Sequence, residues 1–293
     1  MPDLVVRRIV GATAATFARA SARLEPEGGD AELLVGTPID DAVVQGAFER
    51  RERGRLVRGS GGATVAVGPG TVWVILRLAR PDALVACDAP RLMNRYVRPL
   101  LSALGRTGAR AAYFDRDWFA VSHRPAGMVA FAHDAATGAC SFEAFVAAST
   151  PFARGPRESY RGREPGTLEE LAGRGDAVRL VEQIVRAYAG DHRVREEPFA
   201  GEPALAAAHD DPPWLATVAE AIGIVGATET RVGGELMASR DAMERLAREM
   251  GEAKSVGALV DDVFGSGAAV LYGVRSLRSI AEVIETARAR YSQ

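Results

Sequence analysis

Runs of apolar residues predict a first region in which strands and helices are mixed. The run at 71–78 is the most β-like segment of the chain, and residues 4–10 form a similar run. An alanine-rich segment at 12–24 has no helix breaker and predicts a helix that ends before Pro26. Shorter apolar segments predict further strands at 32–36, 110–114, 118–121, 128–131 and 140–148.

Helix signals recur between these strands. Asp40 or Asp41 is suited to cap a brief helix through Phe48. A longer amphipathic helix is predicted at 88–104, and another at 176–189. Because the helices are interspersed with strands, several of which are hairpin-like neighbours, the sequence predicts an α/β (α+β) fold built on a mixed sheet.

The chain of 293 residues is long enough for a large domain followed by a small one. We predict a large domain at 1–190, a linker rich in proline and charge at 191–213, and a small α/β accessory domain at 214–293. The accessory domain is expected to contain strands at 222–225, 230–237 and 268–272 and helices at 239–250 and 276–290.

Composition excludes several classes of function. The net charge is -2, which gives no reason to expect a nucleic-acid or membrane partner. The start of the sequence has no signal-peptide pattern, and two cysteines are too few for a disulfide framework, so we expect a cytoplasmic protein. Four scattered histidines predict no metal site. The basic residues are nearly all arginine, and Lys254 is the only lysine.

The segment 58–73 organises the first region because it is dense in glycine and leads directly into the strand at 71–78. Such a backbone can reach positive φ and approach a ligand closely, so that free N–H groups face an acid or phosphate. Arg58 is its first residue, and arginine binds such anions bidentately. Gly68-Pro69-Gly70 reads as a tight turn. A glycine-rich hairpin without a ligand explains the composition equally well.

The order of elements around this segment resembles the superfamily of lipoate–protein ligases, octanoyltransferases and biotin ligases. The resemblance covers roughly residues 5–190, and 232–236 is more weakly similar to the accessory domain of lipoate–protein ligase A. It implies a ligase-type fold in which the acyl chain and its adenylate lie on the arginine and glycine segment. The ligand-binding residues it implies here are Arg58, Gly59, Ser60, Gly61, Gly62, Ala63, Thr64, Gly68, Gly70 and Gly127.

The same resemblance points to catalytic positions, and several of them depart from the family. The family lysine of a K-x-x-G step is replaced by Arg124, and the histidine before Gly-Pro-Gly is replaced by Val67. The H-G step on the next strand is replaced by Glu143-Ala144. Asp117 matches a family aspartate. Arginine keeps the charge of lysine, but its geometry and hydration differ, so the change is not conservative at a reacting centre.

Three other side chains, like that of Asp117, carry two interpretations each. His123 is a candidate general base or a solvated loop histidine. Cys140 is a candidate acyl acceptor, although a small buried residue is the better account because no neighbouring histidine lowers its pKa. Lys254 could supply the absent amine only if the accessory domain folded over the site, and a solvated lysine is the simpler interpretation. Asp117 fits a catalytic aspartate and a strand-edge ion pair equally well.

These observations leave three hypotheses for function. The first is binding of a lipoyl- or octanoyl-type acid, or its adenylate, without turnover, because the family lysine is replaced by Arg124. The second is an active lipoyl or octanoyl ligase or transferase that acts on a lipoyl-domain protein; in that case ATP and magnesium are the expected cofactors, and otherwise none. The third is a protein-interaction module that keeps only the fold.

Overall fold

The computed structural model describes residues 2–114, 117–152, 160, 162–201, 210–212, 214–217, 223–225 and 231–291. The strands of the first two thirds of the chain are β1 (Asp3–Ile9), β2 (Ala31–Gly36), β3 (Ala42–Gln45), β4 (Leu56–Val57), β5 (Val65–Val67), β6 (Thr71–Leu78), β7 (Ala111–Tyr113), β8 (Trp118–Val121), β9 (Arg124–His133), β10 (Cys140–Ala147) and β11 (Arg193–Glu196). Eight of them form one large sheet in the order β11-β1-β2-β6-β10-β9-β8-β7. In this sheet β1 is parallel to β2 and β11, and the other neighbours are antiparallel.

Both faces of the large sheet are covered. The helices of this region are α1 (Ala14–Ala22), α2 (Leu92–Thr107), α3 (Leu168–Ala172) and α4 (Ala177–Ala189), with a 3-10 turn at Ala89–Arg91 before α2. Successive residues of a strand point to opposite faces. Accordingly, the odd and even positions of β6 contribute to two different cores. Val74 packs under α2 and α4, whereas Trp73 packs with α1 and with a small sheet of order β4-β3-β5. We call these the helix face and the α1 face.

The C-terminal part has a core of its own. Its strands are β12 (Trp214–Thr217), β13 (Gly223–Val225), β14 (Arg231–Gly233), β15 (Met237–Ala238) and β16 (Leu271–Tyr272). Its helices are α5 (Arg240–Glu249), α6 (Val256–Phe264) and α7 (Leu277–Tyr291). Leu246, Val260 and Ile284 lie in its apolar core. A parallel bridge between His133 and Ser239 joins this part to the end of β9.

The predicted mixed α/β architecture is confirmed, with local corrections. The helix expected through Phe48 is wrong: residues 42–45 form β3, which pairs with both β4 and β5. Asp40 instead accepts a hydrogen bond from the backbone N–H of Ala14 at the start of α1, at 2.6 Å. The sequence interpretation also omitted α6, which Ser255 caps through the N–H of Ala258.

Two further features concern the ends of the large region. The strand β11 lies at 193–196, inside the segment that we predicted as a linker, and it extends the sheet next to β1. Thr167 and Glu170 form a capping box at the start of α3. Among the described residues, no helix combines the length and apolar character needed to cross a bilayer.

Candidate functional site

Arg58 lies at the centre of the glycine segment with its side chain buried. Its Nε donates to Ser60 Oγ at 3.0 Å and its Nη1 to the carbonyl of Val44 at 3.2 Å. Its Nη2 donates to the carbonyls of Gly61 and Ala63, at 2.7 and 2.8 Å. A guanidinium has five N–H groups. Four bonds to its own surroundings therefore leave little capacity for a ligand carboxylate.

A buried carboxylate faces this guanidinium. Glu143 on β10 accepts hydrogen bonds from Ser60 Oγ and, at 2.7 Å, from Trp73 Nε1. Its Oε2 lies 3.9 Å from Arg58 Nε. The Arg58 guanidinium also lies over the ring of Phe145, 5.3 Å from its centroid. Glu143 is the residue that the sequence resemblance matched to the family's H-G step.

The backbone N–H groups of the glycine segment are also engaged. The N–H of Gly59 donates to Ser21 Oγ at 2.8 Å, and that of Gly61 to the carbonyl of Phe131 at 3.2 Å. The N–H of Gly62 donates to the carbonyl of Leu236 at 2.9 Å. We expected N–H groups of this segment to face an acid or phosphate. In this structure the C-terminal part and the end of β9 occupy that position.

Close backbone contacts explain why the segment requires glycine. A Cβ on Gly61 would overlap the carbonyl of Leu236 and lie 2.8 Å from Met237 Cα. A Cβ on Gly59 would overlap the carbonyl of Ser21, and Gly62 has a φ of +86°. At the other end of the segment, Cβ atoms on Gly68 and Gly70 would meet Asp41 and Ser149. The glycines are therefore needed for close packing against other parts of the protein, as expected for a glycine-rich hairpin without a ligand.

Thr64 holds a second, half-buried acid in place. Its Oγ1 donates to Glu49, with distances of 3.0 and 2.8 Å to the two carboxylate oxygens, and its N–H donates to Glu49 Oε1 at 3.2 Å. Glu49 also accepts from the N–H of Gly46 at 2.7 Å. Burial raises the pKa of Glu49, and the charge of Arg58 opposes that shift.

The electrostatic surroundings of Arg58 are acidic. Burial lowers the pKa of Arg58, and this shift is opposed by the negative charges of Glu143, Glu49, Asp117 and Glu235. Among the residues that the structure describes, no group of three or more His, Cys, Asp or Glu side chains is arranged to hold a metal ion. Because Arg58 is bonded to its own loop and faces Glu143, its guanidinium has little capacity left for a phosphate group.

Arg124 lies away from this cluster. Its Nε donates to the carbonyl of Glu164 at 2.8 Å and its Nη2 to that of Pro165 at 3.0 Å. It pairs across the ladder with Val121, which packs on the helix face. Directly opposed residues share a face of a sheet. Arg124 therefore leaves the sheet on the helix face, whereas Phe145, beneath Arg58, lies on the α1 face.

The remaining predicted catalytic positions are also separated. His123 and Ser122 form the turn between β8 and β9, with φ values of 65° and 49°, and His123 is exposed. Asp117 precedes β8, and its charge acts on Arg58. Gly127 pairs with Phe119, and a Cβ there would overlap the ring of Phe119. The structure brings Asp117 near Arg58 but places His123 and Arg124 elsewhere.

The cysteine and lysine candidates have ordinary structural positions. Cys140 is 0% exposed, and burial raises the pKa of its thiol, as for a small core residue. Burial also raises the pKa of the Cys87 thiol, to about 11. Lys254 is exposed after α5 and does not line the cavity described next.

A cavity of about 620 Å³ lies beside the glycine segment. It is bounded by Arg58 and Gly59 on one side and by the C-terminal part on the other. Its apolar lining includes Ala22, Ala47, Phe48, Val57, Trp214, Val232, Met243 and Ala247. Its charged lining consists of Glu49, Arg51, Arg58, Arg231, Arg240, Glu244 and Arg248. Sequence reasoning missed most of these residues because they come from segments that only the tertiary fold brings together.

Two arginines that line this cavity differ in whether their guanidinium groups are already hydrogen-bonded. Arg240 donates to the carbonyls of Ala22 and Gly59, at 2.9 and 2.7 Å, and thereby joins α5 to the glycine segment. Arg51 is half-buried, and its guanidinium has no hydrogen bond or ion pair within the described part of the chain. Arg51 is therefore the cavity arginine best placed to bind an anion.

Comparison with known proteins identifies the architecture. No protein-family model and no curated protein matches the chain. Among solved structures, it is similar to lipoate-protein ligase A bound with ATP, with a TM-score of 0.53 and 14% identity over 68% of this chain and 89% of that one. The chain has the lipoate–protein ligase fold. A bipartite lipoate protein ligase from Thermoplasma acidophilum, described with its E2 lipoyl domain, gives a TM-score of 0.52 at 14% identity, over 68% of this chain and 87% of that one.

Proposed function

We propose that this chain binds a medium-length carboxylic acid, of the lipoate or octanoate type, without activating it. The acid would lie in the cavity beside the glycine segment, with its carboxylate on Arg51. The observation that carries the proposal is the Arg58–Ser60–Glu143 cluster, whose polar groups already satisfy one another within the glycine segment.

The cavity supports the binding half of the proposal. Its size, about 620 Å³, is within the range of small-molecule sites, and apolar side chains provide much of its lining. Phe48, Trp214 and Met243 offer contacts for an acyl chain. Arg51 offers a bidentate contact for a carboxylate at one end.

Three features support the absence of activation. Arg124 replaces the family lysine and is bonded to two carbonyls on the helix face. Arg58 is bonded to its own loop, and the buried carboxylate of Glu143 already faces it, with 3.9 Å between Arg58 Nε and Glu143 Oε2. Removing preorganised positive charge from a transition state typically costs about 100-fold to 1,000-fold in rate. Lipoate-protein ligase A has been described bound with ATP, but in this chain the Arg58 guanidinium is already bonded to protein groups.

Binding and activation are tested by separate measurements. Isothermal titration of the full chain with octanoate and with lipoate tests binding, and we expect micromolar to millimolar affinity. The intact mass of an apo lipoyl domain, after incubation with the protein, ATP, magnesium and the acid, tests transfer. We expect no mass gain, while an active lipoate ligase in a parallel tube modifies the domain. A mass gain would overturn the proposal that the acid is not activated.

A matched pair of variants tests the position of the ligand. Arg51→Ala should weaken acid binding by about tenfold, the effect of losing one charge-assisted hydrogen bond. Arg53→Ala is the control because Arg53 is exposed, lies two residues away and does not line the cavity. Equal affinities of the two variants, or no binding by the unmodified chain, would contradict the assigned cavity.

A further inference from the structure

A second part of the molecule has a concentrated positive charge. Between residues 89 and 114 arginine is the only charged residue type, although the whole chain has a net charge of -2. The arginines are Arg91, Arg95, Arg98, Arg106 and Arg110. Most of this segment is α2, and Arg91, Arg95 and Arg98 follow the spacing of one helix face.

Three of these arginines line a groove of about 540 Å³. Arg91, Arg95 and Arg98 form its basic side together with Asn94. Pro90, Met93, Tyr113 and Tyr272 complete its lining. None of these residues lines the cavity beside Arg58, so the groove is a separate feature of the surface.

One wall of the groove comes from the C-terminal part. The hydroxyl of Tyr272, on β16, donates to the carbonyl of Pro90, and its ring meets that of Phe131 edge-on at 5.7 Å. Tyr113 comes from β7. Residues from three distant segments therefore form a concave surface. Arginines on an isolated, fully solvated helix would not lie in such a groove.

The arginines of the groove are only partly neutralised. Arg91 Nε lies 3.7 Å from Asp88 Oδ1, and Arg98 Nη2 donates to Asn94 Oδ1 at 3.1 Å. Arg95 is half-buried and makes no ion pair or hydrogen bond with any residue that the structure describes. Neighbouring side chains on one helix face have Cβ atoms about 5–6 Å apart, so two guanidinium groups can reach one anion.

We infer that this groove binds a phosphate group, carried by a small molecule and held mainly by Arg95 and Arg98. A phosphate monoester has a charge near -2 and accepts hydrogen bonds from several guanidinium groups at once, which a carboxylate does less well. The tyrosine side of the groove then faces whatever the phosphate is attached to. Inorganic phosphate, a nucleotide and a sugar phosphate share this chemistry.

Titration of the full chain with inorganic phosphate, AMP, adenosine and acetate tests the inference. The ionic strength is set to about 0.15 M, where charges are screened beyond about 8 Å. We expect phosphate and AMP to bind and adenosine and acetate not to bind. Tighter binding of AMP than of phosphate would show that the attached group also contributes. Equal binding of AMP and adenosine, or no binding of phosphate or AMP at millimolar concentration, would overturn the inference.

Two variants distinguish a groove from a diffuse positive field. Arg95→Ala should weaken AMP binding about tenfold to a hundredfold, the usual effect of losing hydrogen bonds to a charged group. Arg106→Ala removes the same charge from an exposed position of the same helix outside the groove, and it should leave the affinity within about twofold. Equal losses in both variants would refute a specific site. Thermal denaturation of each variant verifies that it is folded.

Discussion

Replacing Arg58 by alanine distinguishes a structural role for this residue from ligand binding. In the structure, Arg58 donates to three backbone carbonyls and one hydroxyl and lies 3.9 Å from Glu143. Arg58→Ala removes all of these contacts and leaves the carboxylate of Glu143 buried without its counter-charge. We therefore expect the main effect on the free energy of unfolding rather than on ligand affinity.

The magnitude follows from the burial of both partners. Removing one member of a buried ion pair typically costs about 3–5 kcal/mol. Each carbonyl left without a donor adds to this, at about 1–3 kcal/mol before relaxation, although such costs are not additive. A loss of about 3–5 kcal/mol is a large part of the roughly 5–15 kcal/mol that stabilises a typical domain.

Urea denaturation of the full chain, followed by tryptophan fluorescence, measures this loss. Trp73 is a suitable reporter because its indole N–H donates to Glu143 next to Arg58. Adding Glu143→Gln and the double variant completes a thermodynamic cycle. Once the buried charge of Glu143 is removed, Arg58→Ala should cost less, so we expect a coupling energy of about 1–3 kcal/mol.

The reasoning is refuted if Arg58→Ala lowers the free energy of unfolding by less than about 1 kcal/mol, far below the usual cost of breaking a buried ion pair. In that case Arg58 would be dispensable for the fold and available to a ligand. A coupling energy near zero would separately contradict the ion pair with Glu143.

Two further predictions concern the junction with the C-terminal part. Gly61→Ala should lower the melting temperature because the added Cβ would overlap the carbonyl of Leu236. Gly105→Ala is the control: its Cβ would meet nothing within 4 Å, so it should stabilise α2 by about 0.5–1 kcal/mol. Equal melting temperatures of the two variants would contradict this packing. Burial lowers the pKa of His133, so the unfolded chain binds its proton more readily. The free energy of unfolding should therefore decrease as the pH falls below about 6.5. Replacing His133, which bonds to Ser239 Oγ at 2.8 Å, by asparagine should flatten this part of the pH profile, and an unchanged slope would show that another group is responsible.

Local sequence signals predicted those elements that depend on local properties. The strand at 71–78 follows from an unbroken run of β-favouring apolar residues, and it forms with these bounds. Asp176 caps α4 through the N–H of Arg179, as expected for an aspartate that precedes an apolar helical pattern. The segment of β3 was misassigned because a short strand is stabilised by its partners, β4 and β5, more than by its own residues.

The glycine segment shows what a sequence pattern leaves open. A high density of glycine predicts that the backbone approaches a neighbouring group closely, but it does not tell whether that group belongs to a ligand or to the protein. In the structure that neighbour is protein: Ser21 at Gly59, and Phe131 and Leu236 at Gly61 and Gly62. These residues are far apart in sequence, so the role of the glycines depends on the tertiary fold.

The position of Arg124 depends on a single irregularity in strand pairing. Phe119 pairs with Gly127, but the next pairs are Ala120 with Pro125 and Val121 with Arg124, so one extra residue lies on β9. Such a bulge reverses which face the following side chains occupy. By itself the sequence determined the strands that have long apolar runs, the mixed fold and the charge of this position. The pairing register between β8 and β9 decided that Arg124 leaves the sheet on the helix face. Side chains alternate between the two faces of a strand, so one inserted residue moves the side chains that follow it to the opposite face.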